Sequence, residues 1–142
     1  MTLYDQDYYA WTQTQAMLLK ERDYLGLDTE NLIEELESMG RSERREVISR
    51  LEQLVMHLLK WQFQPGFRGH SWRTSIRNQR RELTRVLLDN PSLRTELPLI
   101  YIEIYPSAVN IAEDETGLSR AVFPSYPPFT LEQALMVDWL PE

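Results

Sequence analysis

The chain has 142 residues, 42% hydrophobic and 11% aromatic, which suffices for one domain with a single core and excludes disorder over most of its length. It contains no cysteine, so disulfides and thiolate metal sites are excluded. The net charge of −7 conceals a segregation, because residues 41–94 hold 12 Lys/Arg against 5 Asp/Glu while the rest hold 3 against 17.

A basic middle between acidic ends invites a polyanion or internal neutralisation, and the overall sign disfavours non-specific nucleic-acid binding. No apolar run approaches the roughly 18 residues of a spanning helix, and the N-terminus is acidic rather than basic. A cytoplasmic protein without a membrane partner is expected.

In chain order, residues 5 to 20 predict a first helix capped by Asp5 or Asp7, with Tyr4, Tyr8, Trp11, Gln15, Leu18 and Leu19 on one broad face. Gln15 stands there where a core residue belongs. After a loop, Asp28 is placed to cap an acidic helix whose Leu32, Ile33, Leu36 and Met39 make an apolar stripe. Gly40 is the expected stop of that helix, and Ser42 the expected cap of the next. The next helix runs from about Ser42 to Phe63 with Val47, Ile48, Leu51, Leu54, Val55, Leu58 and Trp61 inward. Pro65-Gly66 and Gly69 break the chain. Ser71 then caps a helix from Trp72 to Asp89, with Gln79 in the middle of its stripe and Arg73, Arg77, Arg80 and Arg81 across its flank and outer face. Leu93 to Glu115 reads as a fifth helix that Pro106 splits in two, closed by Gly117. A Pro-fixed strap, 123–129, leads into Thr130-Leu-Glu-Gln133, a capping box for a short last helix. The expected fold is all-α, a single-domain bundle of five to six helices over 1–142. Trp11, Leu36, Leu51, Leu58, Trp61, Ile76 and Leu83 are its expected core.

Several blocks carry a family resemblance. They are residues 4–12 (Tyr-Asp-Gln-Asp-Tyr-Tyr-Ala-Trp-Thr), residues 28–40 from Asp28 to Gly40, and His57-Leu-Leu-Lys-Trp-Gln62. Ser71-Trp72 with Arg80-Arg81 and the closing Pro-Phe-Thr-Leu-Glu-Gln complete the set. Together they resemble the bacterial domain-of-unknown-function twenty-nine family, common in cyanobacteria, over essentially the whole chain. The resemblance implies an all-helical domain and no activity, and it supplies no catalytic residues.

Candidate chemistry comes from the residues themselves. His57 has Leu54 three positions before it and His70 has Phe67, so the Glu-x-x-His pattern of a di-iron bundle fails twice. A mixed site from Glu35, His57 and another carboxylate requires two adjacent helices. No metal or cofactor is expected. Arg50 and His57 have six residues between them, a spacing similar to that of helical ribonucleases of the HEPN class. On a helix it puts both on one face about 10 Å apart along the axis, where Arg could hold a phosphate while His moves a proton. The Arg73/Arg77/Arg80/Arg81 face, with Trp72 beside it, offers a binding surface for a nucleic acid or a protein. Two readings result. One is a non-enzymatic helical binding or regulatory module, and the alternative is a metal-independent ribonuclease using His57 with Arg50. The polar residues on apolar stripes, Gln15, His57 and Gln79 with Glu35 on a border, are expected to bond to one another inside the bundle, at least in part.

Overall fold

The computed structural model describes residues 2–142, which form six α-helices joined by short turns of 3-10 helix, with no strand among the described residues. The helices are α1 (Leu3–Gln6), α2 (Tyr8–Lys20), α3 (Thr29–Phe63), α4 (His70–Asp89), α5 (Leu97–Thr116) and α6 (Leu131–Leu135). The all-α class expected from the sequence is thus observed. The chain divides into two compact units, Met1–Ser42 and Glu43–Glu142.

In the first unit, the expected single first helix is interrupted at Asp7. The Asp7 backbone leaves helical geometry, and its side chain accepts from the Ala10 amide at 3.0 Å to begin α2 afresh. Asp28 does stand at the start of α3, accepting from the Asn31 amide at 3.4 Å. Its second oxygen accepts from the Trp11 indole at 2.9 Å and from the Asn31 side chain at 2.8 Å. Gln15, buried within α2, accepts from the Asp28 amide at 2.8 Å. A glutamine on an apolar stripe is thereby accounted for, because it ties α2 to the first turn of α3. Trp11 and Gln15 are the residues of α2 that become buried.

Gly40 does not stop the helix. α3 passes through it as one 35-residue helix. A glycine inside a helix costs about 1 kcal/mol relative to alanine, which the neighbouring turns outweigh. Arg41 reaches back across it to Glu34 at 3.2 Å and Glu37 at 3.8 Å, both exposed pairs of small energetic worth. Gly117, by contrast, adopts φ 74° and closes α5 as expected, its amide donating to the Glu113 carbonyl.

The second unit holds the main core. Leu51, Leu54, Leu58 and Leu59 of α3 pack with Ile76, Leu83 and Leu87 of α4 and with Ile100, Ile104 and Ala108 of α5. α4 begins at His70 after Gly69, one position before the expected Ser71 cap. α5 is continuous through Pro106 rather than split. Pro106 is exposed, and Ile102, whose carbonyl loses its partner, is 68% exposed, so the turn that lacks a donor lies on the outer side of the helix. The strap is fixed from α5, where the Tyr101 hydroxyl donates to the Phe129 carbonyl at 2.7 Å and Tyr105 to that of Pro124 at 2.8 Å. Burial raises the pKa of both phenols, that of Tyr105 to about 12. The Thr130–Gln133 capping box is formed in both directions.

Six of the seven expected core residues are buried. Leu36 is the exception at 65% exposed. Its stripe on α3 continues at Ile33 and Met39, which are also exposed.

Candidate functional site

Two places in the molecule gather residues with unspent binding capacity, one in each unit.

In the first unit, α2 and the first part of α3 border a groove of about 260 Å³. Tyr8, Trp11, Gln15 and Leu19 line it from α2, and Leu32, Glu35, Leu36 and Met39 from α3. Glu35 accepts hydrogen bonds from both Tyr4 and Tyr8, the latter at 2.6 Å. These two donors hold its carboxyl below the ordinary 4.5 and keep it ionised at neutral pH. The same bond pushes Tyr4 up to about 12. The rings of Tyr4 and Trp11 meet edge to face at 4.7 Å, and Tyr8 stacks on Trp11 at 5.8 Å. The groove therefore has an aromatic wall, an aliphatic wall and a charged edge. Residues 1–42 hold 9 Asp/Glu against 3 Lys/Arg, a net −6, so this unit carries nearly all of the chain's −7.

In the second unit, α4 presents the arginines singled out from the sequence, and they prove dissimilar. Arg80 is buried, and its guanidinium donates to the carbonyls of Ala134, Val137 and Trp139 at 2.8, 3.1 and 2.7 Å. It caps the C-terminal end of α6 and anchors the last segment of the chain, and so is not part of an outer basic face. Arg81 bonds to Asn78 of its own helix at 2.6 Å. Arg73 lies over the Trp61 ring at 5.2 Å. Among the described residues, no carboxylate oxygen lies within 4.0 Å of Arg73 or Arg77. Both line a cavity of about 190 Å³ beside Arg80. Trp72 is half-buried under the Lys60 ammonium, 5.0 Å from its ring, and is not a free stacking platform.

The ribonuclease pair is spoken for on one side. Arg50 donates to Glu46 at 2.9 Å and, more weakly, to Gln79 at 3.4 Å. Gln79 thus answers Arg50 rather than His57. His57 is half-buried, and burial lowers its pKa from 6.5, helped by the nearby Lys60 charge and opposed by Glu115. It is neutral at pH 7, and its buried Nδ1 has no hydrogen-bond partner. Neither Arg50 nor His57 lines the groove or the arginine cavity. Glu35 and His57 share one continuous helix, 22 residues apart, so the pair of adjacent helices that a mixed metal site required does not exist. Among the described residues no three or more His, Cys, Asp or Glu are grouped to hold a metal ion. The expected bonding among Gln15, Glu35, His57 and Gln79 is also absent. Gln15 serves Asp28, Glu35 serves the two tyrosines, and none of the four bonds to another.

Sequence reasoning missed the groove because it assigned Leu36 to a core. The one signal available was composition, since Glu30, Glu34, Glu35 and Glu37 leave that stripe little uncharged surface on either side. No helix of the described residues is long and apolar enough to cross a membrane. Comparison with curated proteins and with solved structures yields no match. A family model does match, over residues 3–140, and by that match the chain belongs to the family described as domain of unknown function DUF29.

Proposed function

We propose that the chain is a non-enzymatic binding module that takes a helical segment of a partner protein in the groove between α2 and the first part of α3. The observation that carries this reading is the uncovered apolar stripe of α3, with Leu36 and Met39 more than 60% exposed. Single exposed leucines are ordinary. Here Ile33, Leu36 and Met39 stand together on one helix, with Leu19 of α2 also exposed and lining the groove. A contiguous apolar patch bordered by charge is the mark of an interaction surface, and two helices flanking a groove suit the apolar face of a third.

Charge selects the occupant. A unit with net −6 repels nucleic acid, an anionic membrane and a second copy of itself. It attracts an amphipathic helix whose polar face carries Lys and Arg, and the ionised Glu35 at the groove edge faces such a side chain directly. The ribonuclease alternative lacks comparable support, since Arg50 is already paired with Glu46.

The test is fluorescence anisotropy of a labelled synthetic helix of Leu and Lys in amphipathic order, against a scrambled peptide of the same composition. Saturable binding of the ordered peptide that weakens with salt and is lost in Leu36→Asp is expected. Equal binding of the scrambled peptide, or binding untouched by Leu36→Asp, overturns the reading, as does no binding at all.

A further inference from the structure

The cavity beside Arg80 in the second unit has no part in the groove reading and stands or falls apart from it. We infer that it is a binding site for a compact organic phosphate, a phosphate monoester held by Arg73 and Arg77 over the fixed guanidinium of Arg80.

Arg80 is buried and immobilised by three carbonyls of the C-terminal segment, and those bonds hold Val137 to Leu140 against α4 as the far wall. Carbonyl acceptors orient a guanidinium without neutralising it. Two of its five N–H groups remain after three are bound. Ile76 and Leu140 supply an apolar lining. Arg73 and Arg77, one helical turn apart, stand at the cavity with no carboxylate within 4.0 Å of either. Arg73 is steadied by the Trp61 ring at 5.2 Å.

Three arginines and one acidic residue, Asp138, line the cavity, a surplus of two positive charges. A phosphate monoester carries about −1.5 to −2 at pH 7 and presents three strong acceptor oxygens, matching that surplus on one compact group. Planar guanidinium forks are the side chains best suited to such oxygens. Size then limits the ligand. The volume of about 190 Å³ lies below the roughly 300 Å³ at which pockets for larger ligands begin. A phosphoryl group on a short carbon stub fits within it, whereas a nucleotide or a nucleic-acid chain would have to extend out of the cavity into solvent. The apolar lining accommodates the stub.

Isothermal titration calorimetry of the intact chain with glycerol phosphate, inorganic phosphate and succinate tests this. Saturable one-to-one heat with glycerol phosphate is expected, weakening as pH falls through the phosphate's second pKa of about 6. Arg77→Gln and Arg73→Gln, both exposed and so not expected to disturb folding, should each weaken binding about ten-fold. Asp138→Asn should tighten it, because the only negative charge in the cavity is removed. Arg81→Gln, on the same helix but bonded to Asn78, should leave it unchanged. Binding no weaker in Arg77→Gln than in Arg81→Gln reduces the effect to diffuse charge and overturns the site. So does an absence of saturable heat. Inorganic phosphate binding as tightly as glycerol phosphate overturns the role given to the apolar lining, and succinate binding as tightly overturns the choice of a phosphate.

Discussion

Arg80→Met removes the clamp on the C-terminal segment while keeping most of the aliphatic stem in place. Three bonds from a charged donor are lost, to the carbonyls of Ala134, Val137 and Trp139. Hydrogen bonds to a charged group contribute about 1.5–3 kcal/mol each, so three would set a gross loss of roughly 4.5–9 kcal/mol if nothing relaxed. Two effects reduce it. Burial lowers the Arg80 pKa, with only Asp138 opposing, and this signals a desolvation cost that disappears with the cation. The freed carbonyls of Val137 and Trp139 also lie beyond the end of α6, outside any helix, where the backbone can turn toward water. A net loss of about 3–5 kcal/mol is expected, the range found when one partner of a buried charged interaction is removed. Urea unfolding followed by far-ultraviolet circular dichroism should show a lower midpoint at unchanged slope. For a chain of this size the thermal midpoint should fall by about 2–4 °C per kcal/mol. Arg80→Lys should restore less than half, because one ammonium cannot reach three carbonyls arranged for a fork. A loss below about 1 kcal/mol in Arg80→Met would refute the clamp.

Leu58→Ala, fully buried in the second unit, should cost about 2–5 kcal/mol, whereas Leu36→Ala should stay within about 0.5 kcal/mol; paired denaturation curves that coincide would show the α3 faces to be misassigned. The Glu35 carboxyl is held below 4.5 in the folded chain, so its contribution to stability is present above pH 4.5 and is lost as pH falls through the lower folded value. Tyr4 is raised to about 12, so its contribution is complete below pH 10 and is lost as pH rises toward 12. Titration of the Tyr4 ring by nuclear magnetic resonance checks this, and a midpoint near 10 in the wild-type chain, unchanged in Glu35→Gln, would contradict it. Purified chain incubated with mixed RNA should cleave none of it. Cleavage that vanishes in His57→Ala would reinstate the ribonuclease reading.

What the sequence determined by itself is what depends on a few neighbouring residues. Asp28 at the start of α3, the Thr130–Gln133 box and the Gly117 stop are satisfied within about one turn, so their chemistry is legible locally. The apolar stripes were legible too, because a helix of 3.6 residues per turn writes its faces into the spacing. Whether a stripe is covered was not. Leu36 and Leu58 stand in stripes of the same period on one helix, yet one is 65% exposed and the other 0%, because α4 and α5 pack over the second and no element of the first unit covers Leu36. Gly40 and Gly117 make the same point for stops. Either could have taken the left-handed conformation, but α3 continues through Gly40 because two long runs of helix on either side outweigh about 1 kcal/mol of propensity.

The candidate sites depended on long-range return of the chain even more. Arg80 read as one of four outer arginines, and its acceptors lie 54 to 59 residues further on. With it anchored there, Arg73 and Arg77 stand beside it at a cavity that the C-terminal segment completes. Gln15 read as a member of a polar network, and its partner is the amide of Asp28, 13 residues away. A side chain's type and spacing declare what it can bond to. Only the folded path of the chain decides which groups arrive within reach, because a buried donor takes whichever acceptor packing brings to it, and one left unmatched keeps its capacity for something else.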